Sequence, residues 1–187
     1  MKTIRCIYEL LAIVEYTEGW LSKYEQFGLL HLPSMVDHLP GAIVEIGSYK
    51  GKSTTALALG SAIMSTQKRP IYAIDPFNDS YYYSFWANIK YHQLENFVIP
   101  IKKLSTQAYD DCPQLIAALF IDSDHEYTSV KHDIMSYAPR IVKGGLMVFH
   151  DYSEQFPGVL RAVDELCNNK AYEFVTIYDN LLFVRKL

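Results

Sequence analysis

The sequence predicts an α/β fold, a mostly parallel, doubly wound sheet closed by an antiparallel C-terminal hairpin edge. Three observations carry this. Short, strongly apolar runs recur along the 187-residue chain, each ending in acidic or glycine-containing punctuation. Helical patterns separate most of them, and runs apolar on both faces that alternate with helices belong to a parallel sheet covered on both sides. The C-terminal segment then breaks this rhythm, because two strand-like runs flank Asp179-Asn180, a two-residue hairpin turn.

The elements follow in order. The opening MKTIRCIYELLAIVEY resembles a signal peptide in its basic start and apolar run, but Glu9 interrupts that run and no small-residue cleavage site follows. Ile4, Ile7, Tyr8, Leu11 and Val14 recur at helical spacing instead. Trp20–Leu39 reads as one or two further helices broken at Pro33, so that residues 1–40 form an N-terminal helical region. Five parallel strands are expected at Ala42–Ile46, Pro70–Ile74, Val98–Ile101, Ala117–Ile121 and Leu146–Phe149. Helices are expected over Ser53–Met64, Tyr81–Leu94 and Tyr127–Tyr137, the last with Val130, Ile134 and Tyr137 on one face. Glu173–Tyr178 and Leu181–Arg185 make the hairpin. No repeat or linker divides the chain, so residues 1–187 are expected to form one domain.

Composition narrows the function. Half of the residues are hydrophobic and 20% are charged, which is ordinary for a globular protein. A net charge of −4 cannot neutralise a phosphate backbone, which argues against nucleic acid as a partner. No apolar stretch reaches the roughly 20 residues that span a bilayer. Cys6, Cys112 and Cys167 fit neither a disulfide framework nor a metal motif, and they suit the reducing cytoplasm.

The segment Ile43-Val44-Glu45-Ile46-Gly47-Ser48-Tyr49-Lys50-Gly51-Lys52-Ser53 runs from a strand through a glycine turn into a helix. Such a turn lets backbone approach a ligand, and a helix N-terminus offers free N–H groups to polar or anionic atoms. A P-loop would end in the same Gly51-Lys52-Ser53, but it needs four residues between its glycines and three lie between Gly47 and Gly51. A dinucleotide fingerprint would place glycine where Tyr49 stands. An S-adenosylmethionine site asks for a glycine turn beside the methionine moiety and an acid after the second strand for the ribose hydroxyls. Asp75 supplies that acid, although an NAD site would want one there too.

Three segments, VEIGSYKGKST, IYAIDPF and FIDSDHEYTSVKHDIMSYAPRIVKGGLMVFHDY, together resemble the class I S-adenosylmethionine-dependent methyltransferases. Within that class the sequence is similar to the methyltransferase-24 type, which includes O-methyltransferases of macrolide-sugar and cephalosporin biosynthesis. The resemblance runs from about Gly19 to Tyr152 and implies a Rossmann-like methyltransferase fold. It implies cofactor contacts at Glu45, Gly47, Ser48, Gly51, Ser53, Asp75 and Asp122, with Ser105 as a looser candidate near the adenine. It further implies methylation of a hydroxyl on a small molecule, a sugar or natural-product intermediate. A P-loop-like nucleotide-dependent enzyme and a non-catalytic binding module with the same fold are the alternatives.

A second constellation closes two neighbouring strands, as Asp122-Ser123-Asp124-His125 and His150-Asp151. Adjacent strands of an open α/β sheet deliver such residues to one crevice. Asp122, Asp124, His150 and Asp151 are therefore candidate ligands for Mg²⁺, which favours oxygen donors and would lower the acceptor hydroxyl's pKa. The resemblance makes His125 the general base, with Asp122 as its catalytic companion. It also shows a departure, since the last strand ends His-Asp where paired acidic or amide ligands are common. The plainer reading has Ser123 and Glu126 form a capping box and Asp151 cap a short helix in the Tyr152–Pro157 loop.

Tyrosine is abundant, at 15 residues, and residues 77–97 form an aromatic insert directly after Asp75. It reads either as a lid or pocket wall or as a helix whose aromatic face packs on the sheet. His31, His38, His92 and His132 are expected at the surface. With the chain filled by the cofactor fold, acceptor recognition is left to the N-terminal helices, the insert, the loop after Asp151 or a second subunit of a homo-oligomer.

Overall fold

A computed structural model describes residues 6–187; Ile4, the first residue of the predicted helical stripe, lies outside the described residues. Seven strands form one sheet: β1 (Ala42–Ile46), β2 (Ile71–Asp75), β3 (Val98–Lys102), β4 (Ile116–Ile121), β5 (Ile141–Phe149), β6 (Tyr172–Tyr178) and β7 (Leu181–Lys186). Their order is β3-β2-β1-β4-β5-β7-β6. The first five pair in parallel, and β7 joins β5 and β6 antiparallel, as the sequence predicts. The hairpin turn holds two residues, and only Asp179 takes positive φ, at 54°.

Seven helices flank the sheet: α1 (Ile7–Glu15), α2 (Lys23–Met35), α3 (Lys52–Leu59), α4 (Asp79–Tyr91), α5 (Ser105–Ala108), α6 (Tyr127–Tyr137) and α7 (Pro157–Cys167). Strand alternation divides the core into two layers. Ile43, Ala73, Phe120 and Val148 face the side of α1–α4. Val44, Ile74, Leu119 and Phe149 face the side of α6 and α7. All of these side chains are buried, so the continuous apolar runs of the sequence reflect burial on both faces.

Several expectations need correction. Trp20–Leu39 holds one helix, not a broken pair: Pro33 lies inside the last turn of α2, which ends two residues later at Met35. The helix after β1 passes into a π turn at Gly60–Met64. Strand β5 begins at Ile141, five residues before the predicted start. Helix α7 was not anticipated, yet Pro157 opens it and Val159, Ala162, Val163 and Leu166 form an inward stripe. The predicted capping box before α6 is absent: Ser123 Oγ donates to Asp133 instead, while Asp124 accepts from the Glu126 N–H. Asp151 heads no helix and takes positive φ, at 58°.

The aromatic insert is a core-facing helix. Phe85 and Ile89 of α4 are buried, and Phe77, Tyr82 and Trp86 pack around them, whereas Tyr83 is 81% exposed. His38 and His132 are exposed, as expected. His31 and His92 are half-buried instead, bonded to the Phe27 carbonyl and to the Thr17 hydroxyl.

Candidate active site

The C-terminal ends of β1, β2, β4 and β5 open into a cavity of about 930 Å³. Its first half is built mainly from backbone. Gly47 leaves β1 with φ 92°, its N–H bonded to the Ile74 carbonyl of β2, and a Cβ there would stand 1.9 Å from the Asp122 carbonyl oxygen. Only glycine fits between these strand ends. Gly51, at φ 88°, then starts α3.

Glu45 does not line the cavity. Its Oε2 accepts from the hydroxyls of Ser48, at 2.8 Å, and Thr54, at 2.5 Å, and so ties the glycine turn to α3. Burial pushes its carboxyl up to about 7 against the hydrogen bonds of Ser53, Thr54 and Ser48. Gly47, Ser48 and Ser53 reach the cavity, whereas Gly51 lies beneath them. Lys52, the lysine of the rejected P-loop reading, is buried and faces Glu15 at 3.5 Å rather than curling over the turn.

Asp75 lines the cavity from the end of β2, as predicted. Its carboxylate accepts from the N–H groups of Tyr49, at 2.9 Å, and Phe77, at 2.7 Å, which fixes its direction and leaves lone pairs for a ligand. Ser105 also lines the cavity. Beside it stands Asp133, a buried acid overlooked in the sequence, whose carboxyl is raised by burial. Its place in the middle of α6 gave no motif to read.

The second half is built from charge. His150 is buried, with Nδ1 3.1 Å from both Asp122 Oδ1 and Asp151 Oδ2, and Nε2 3.4 Å from Glu25 Oε2 on α2. Burial alone would lower its pKa, but hydrogen bonds with Asp122, Asp151 and Glu25 outweigh that and push it up to about 12. Asp151 and Glu25 are in turn held below the usual carboxylate range, the His150 charge overcoming the effect of burial. His125 lies outside this core with Nε2 2.8 Å from Asp151 Oδ2, its ring 4.4 Å from that of Phe156. Glu25 carries no sequence motif for this role, since its partner is 125 positions away.

The four candidate metal ligands do not meet at one point. Asp124 spends its oxygens on the Glu126 N–H and the Ser129 hydroxyl at the start of α6. His150 spends both ring nitrogens on carboxylates, Nδ1 on Asp122 and Asp151 and Nε2 on Glu25. Asp122, His125 and Asp151 do bring ligand atoms within 4.8 Å of one another. Both carboxylates of that set already pair with the His150 ring and its third member is an imidazole, so it offers Mg²⁺ few of the oxygen donors that ion favours.

The aromatic insert does not line the cavity. The roof comes instead from Glu18-Gly19-Trp20-Leu21, between α1 and α2. Trp20 stacks on Tyr49 at 5.3 Å, and Tyr81 meets the same ring edge-on at 4.7 Å. Among the described residues, no helix is long and apolar enough to cross a membrane.

Comparison with known proteins agrees with this layout. The profile of a methyltransferase-domain family matches residues 44–152, from the middle of β1 to just past Asp151. Uncharacterized protein R132 of Acanthamoeba polyphaga mimivirus is 35% identical over 81 residues, 42% of this chain and 34% of the relative, so the chain matches about a third of that relative's length. Among solved structures, the O-methyltransferase NovP superposes with a TM-score of 0.76 at 18% identity, over 88% of this chain and 80% of its own. An O-methyltransferase from Bacillus cereus in complex with SAH gives 0.73 at 15% identity, over 96% and 88%. The glycine turn, the acid after β2 and the charged ends of β4 and β5 thus lie inside the matched segment, and the chain belongs to this methyltransferase-domain family.

Proposed function

We propose that this chain methylates a hydroxyl on a small molecule, a sugar or natural-product intermediate, with S-adenosylmethionine as donor. The carrying observation is the cavity that joins the Gly47 turn and Asp75 to the Asp122–His150–Asp151–His125 cluster. When bound, the donor supplies an electrophilic methyl group on a sulfonium, so the protein's work is positioning and proton removal. Gly47 keeps the floor of the cavity free of side chain, and Asp75 offers acceptor lone pairs to ribose hydroxyls. Asp122 adds negative charge near the donor's positive centre. His125, anchored through Nε2 on Asp151, has Nδ1 left to take the hydroxyl proton. His150 bonds to both Asp122 and Asp151 and holds the two carboxylates in place.

The NovP and Bacillus cereus structures are named as O-methyltransferases, and the latter holds SAH, which supports the choice of donor and of oxygen as the methylated atom. The three cysteines carry no disulfide, and we place the whole domain, residues 1–187, in the cytoplasm. Calorimetry tests the donor: S-adenosylhomocysteine should bind and Mg·ATP should not, and the reverse would overturn the reading. Asp75→Asn should weaken S-adenosylhomocysteine about 10-fold, the scale of a lost hydrogen bond to a charged group. With an acceptor found by labelled-methyl screening, His125→Gln should slow turnover about 10²-fold or more. Turnover should be indifferent to EDTA, and a loss of activity restored by Mg²⁺ would instead establish metal assistance.

A further inference from the structure

A second hollow, of about 510 Å³, opens on the other side of His150 and Asp151. It shares Trp20, His150 and Asp151 with the larger cavity and adds Ser22, Glu25, Asp179 and Asn180. The two spaces therefore meet at the charged strand ends, where a hydroxyl and a methyl donor would have to meet. Residues from opposite ends of the chain make this mouth. Ser22 Oγ donates to Asp179 Oδ2 at 2.5 Å, and the Asn180 N–H donates to Glu25 at 3.2 Å.

The chemistry of the mouth is one-sided. Three carboxylates, those of Glu25, Asp151 and Asp179, face one imidazolium, and neither lysine nor arginine lines the hollow. Glu25 is committed to His150, Ser22 and Asn180, whereas Asp179 is exposed at the rim with Ser22 Oγ on a single oxygen. Across the rim stands Trp20, 77% exposed, its ring backed by Tyr49. An indole face beside a carboxylate attracts organic cations, whereas phosphate or carboxylate would meet repulsion without a compensating cation.

We infer that this mouth is the acceptor subsite and that it takes a hydroxyl compound carrying a protonated amine, held between the Trp20 ring and the Asp179 carboxylate. The inference rests on the methyl-transfer reading above, but its test can fail separately. Trp20 and Trp86 are the two tryptophans, so a Trp86→Phe protein reports on Trp20 alone. Saturated with S-adenosylhomocysteine at about pH 6.5, where sugar amines are protonated, it is titrated with glucosamine, methyl glucoside and glucose 6-phosphate. Glucosamine should change the Trp20 emission saturably, at least about 10-fold more tightly than methyl glucoside, and glucose 6-phosphate should bind least.

Asp179→Asn keeps a side chain that tolerates the positive φ of that turn. It should remove the preference for glucosamine while leaving S-adenosylhomocysteine affinity unchanged in calorimetry. Equal or tighter binding of the neutral or phosphorylated sugar overturns the inference. So does the absence of a saturable response to all three probes, or a glucosamine preference that survives in Asp179→Asn. Failure to bind S-adenosylhomocysteine at the outset would instead strike the donor reading itself.

Discussion

The two halves of the cavity hold their shape by opposite means. At the ends of β1 and β2 the backbone does the work: Gly47 at positive φ, amides converging on Asp75, and a buried Glu45 whose carboxyl is pushed up to about 7. At the ends of β4 and β5 the work falls to side chains, where an imidazole pushed up to about 12 sits among three carboxylates. Burial dominates the first half and favours neutrality. Ion pairing dominates the second and favours charge. A cationic donor laid across both would meet backbone and the single Asp75 carboxylate at one end and the acids around His150 at the other.

The largest expected effect breaks the first half. Gly47→Ala would drive a Cβ into the Asp122 carbonyl and force alanine to positive φ, so stability should fall by more than about 4 kcal/mol. At roughly 2–4 °C per kcal/mol, the melting temperature should drop on the order of 10 °C. A variant melting within a degree or two of the parent would show that the turn can relax and that the contrast between the halves is overstated.

His150→Gln probes the second half and should cost about 3 kcal/mol at neutral pH, because it leaves buried carboxylates without their partner. Its pH signature is distinctive. A histidine whose folded pKa lies near 12 contributes fully below its unfolded value near 6.5, and that contribution is lost as pH rises toward 12. The gap in melting temperature between parent and variant should therefore shrink steadily from pH 6.5 to 10. A gap independent of pH would mean that His150 is not held as a cation.

Glu45→Gln is the mildest change and sharpens the contrast. A carboxyl raised from 4.5 to about 7 by burial disfavours the folded state progressively as pH rises through that window, and by a constant amount above it. The variant should gain on the parent between pH 4.5 and 7 and then keep a fixed offset, measurable as parallel melting curves above pH 7. The two variants thus place their pH dependence in adjoining windows, one per half.

This contrast also explains what could be read from the sequence. The glycine turn was legible because it is local: strand, Gly47 and helix start lie within a dozen residues, and Asp75 follows one βαβ unit later. The parallel strands were legible because burial on both faces leaves continuous apolar runs. The charged half was legible only in part. Asp122, His125, His150 and Asp151 were named, but their pairing was not, since nothing local tells which of two histidines faces inward. Glu25 and Trp20 were missed as site residues because they reach the cavity only through the packing of the N-terminal segment on the sheet. The aromatic insert misled for a related reason: its proximity to Asp75 in sequence suggested a pocket wall, but Phe85 and Ile89 turn its apolar face into the core.

The Ser22–Asp179 clasp has a consequence for how the protein is made. Its two residues stand 157 positions apart, so contacts at the mouth are among the most remote in the chain and should consolidate late in folding. A growing polypeptide that had already emerged through Asp151 would possess the glycine turn and both charged strand ends, yet Glu25 would still lack its Asn180 amide. During synthesis the glycine turn and both charged strand ends are therefore in hand before the contacts that border the smaller hollow can form.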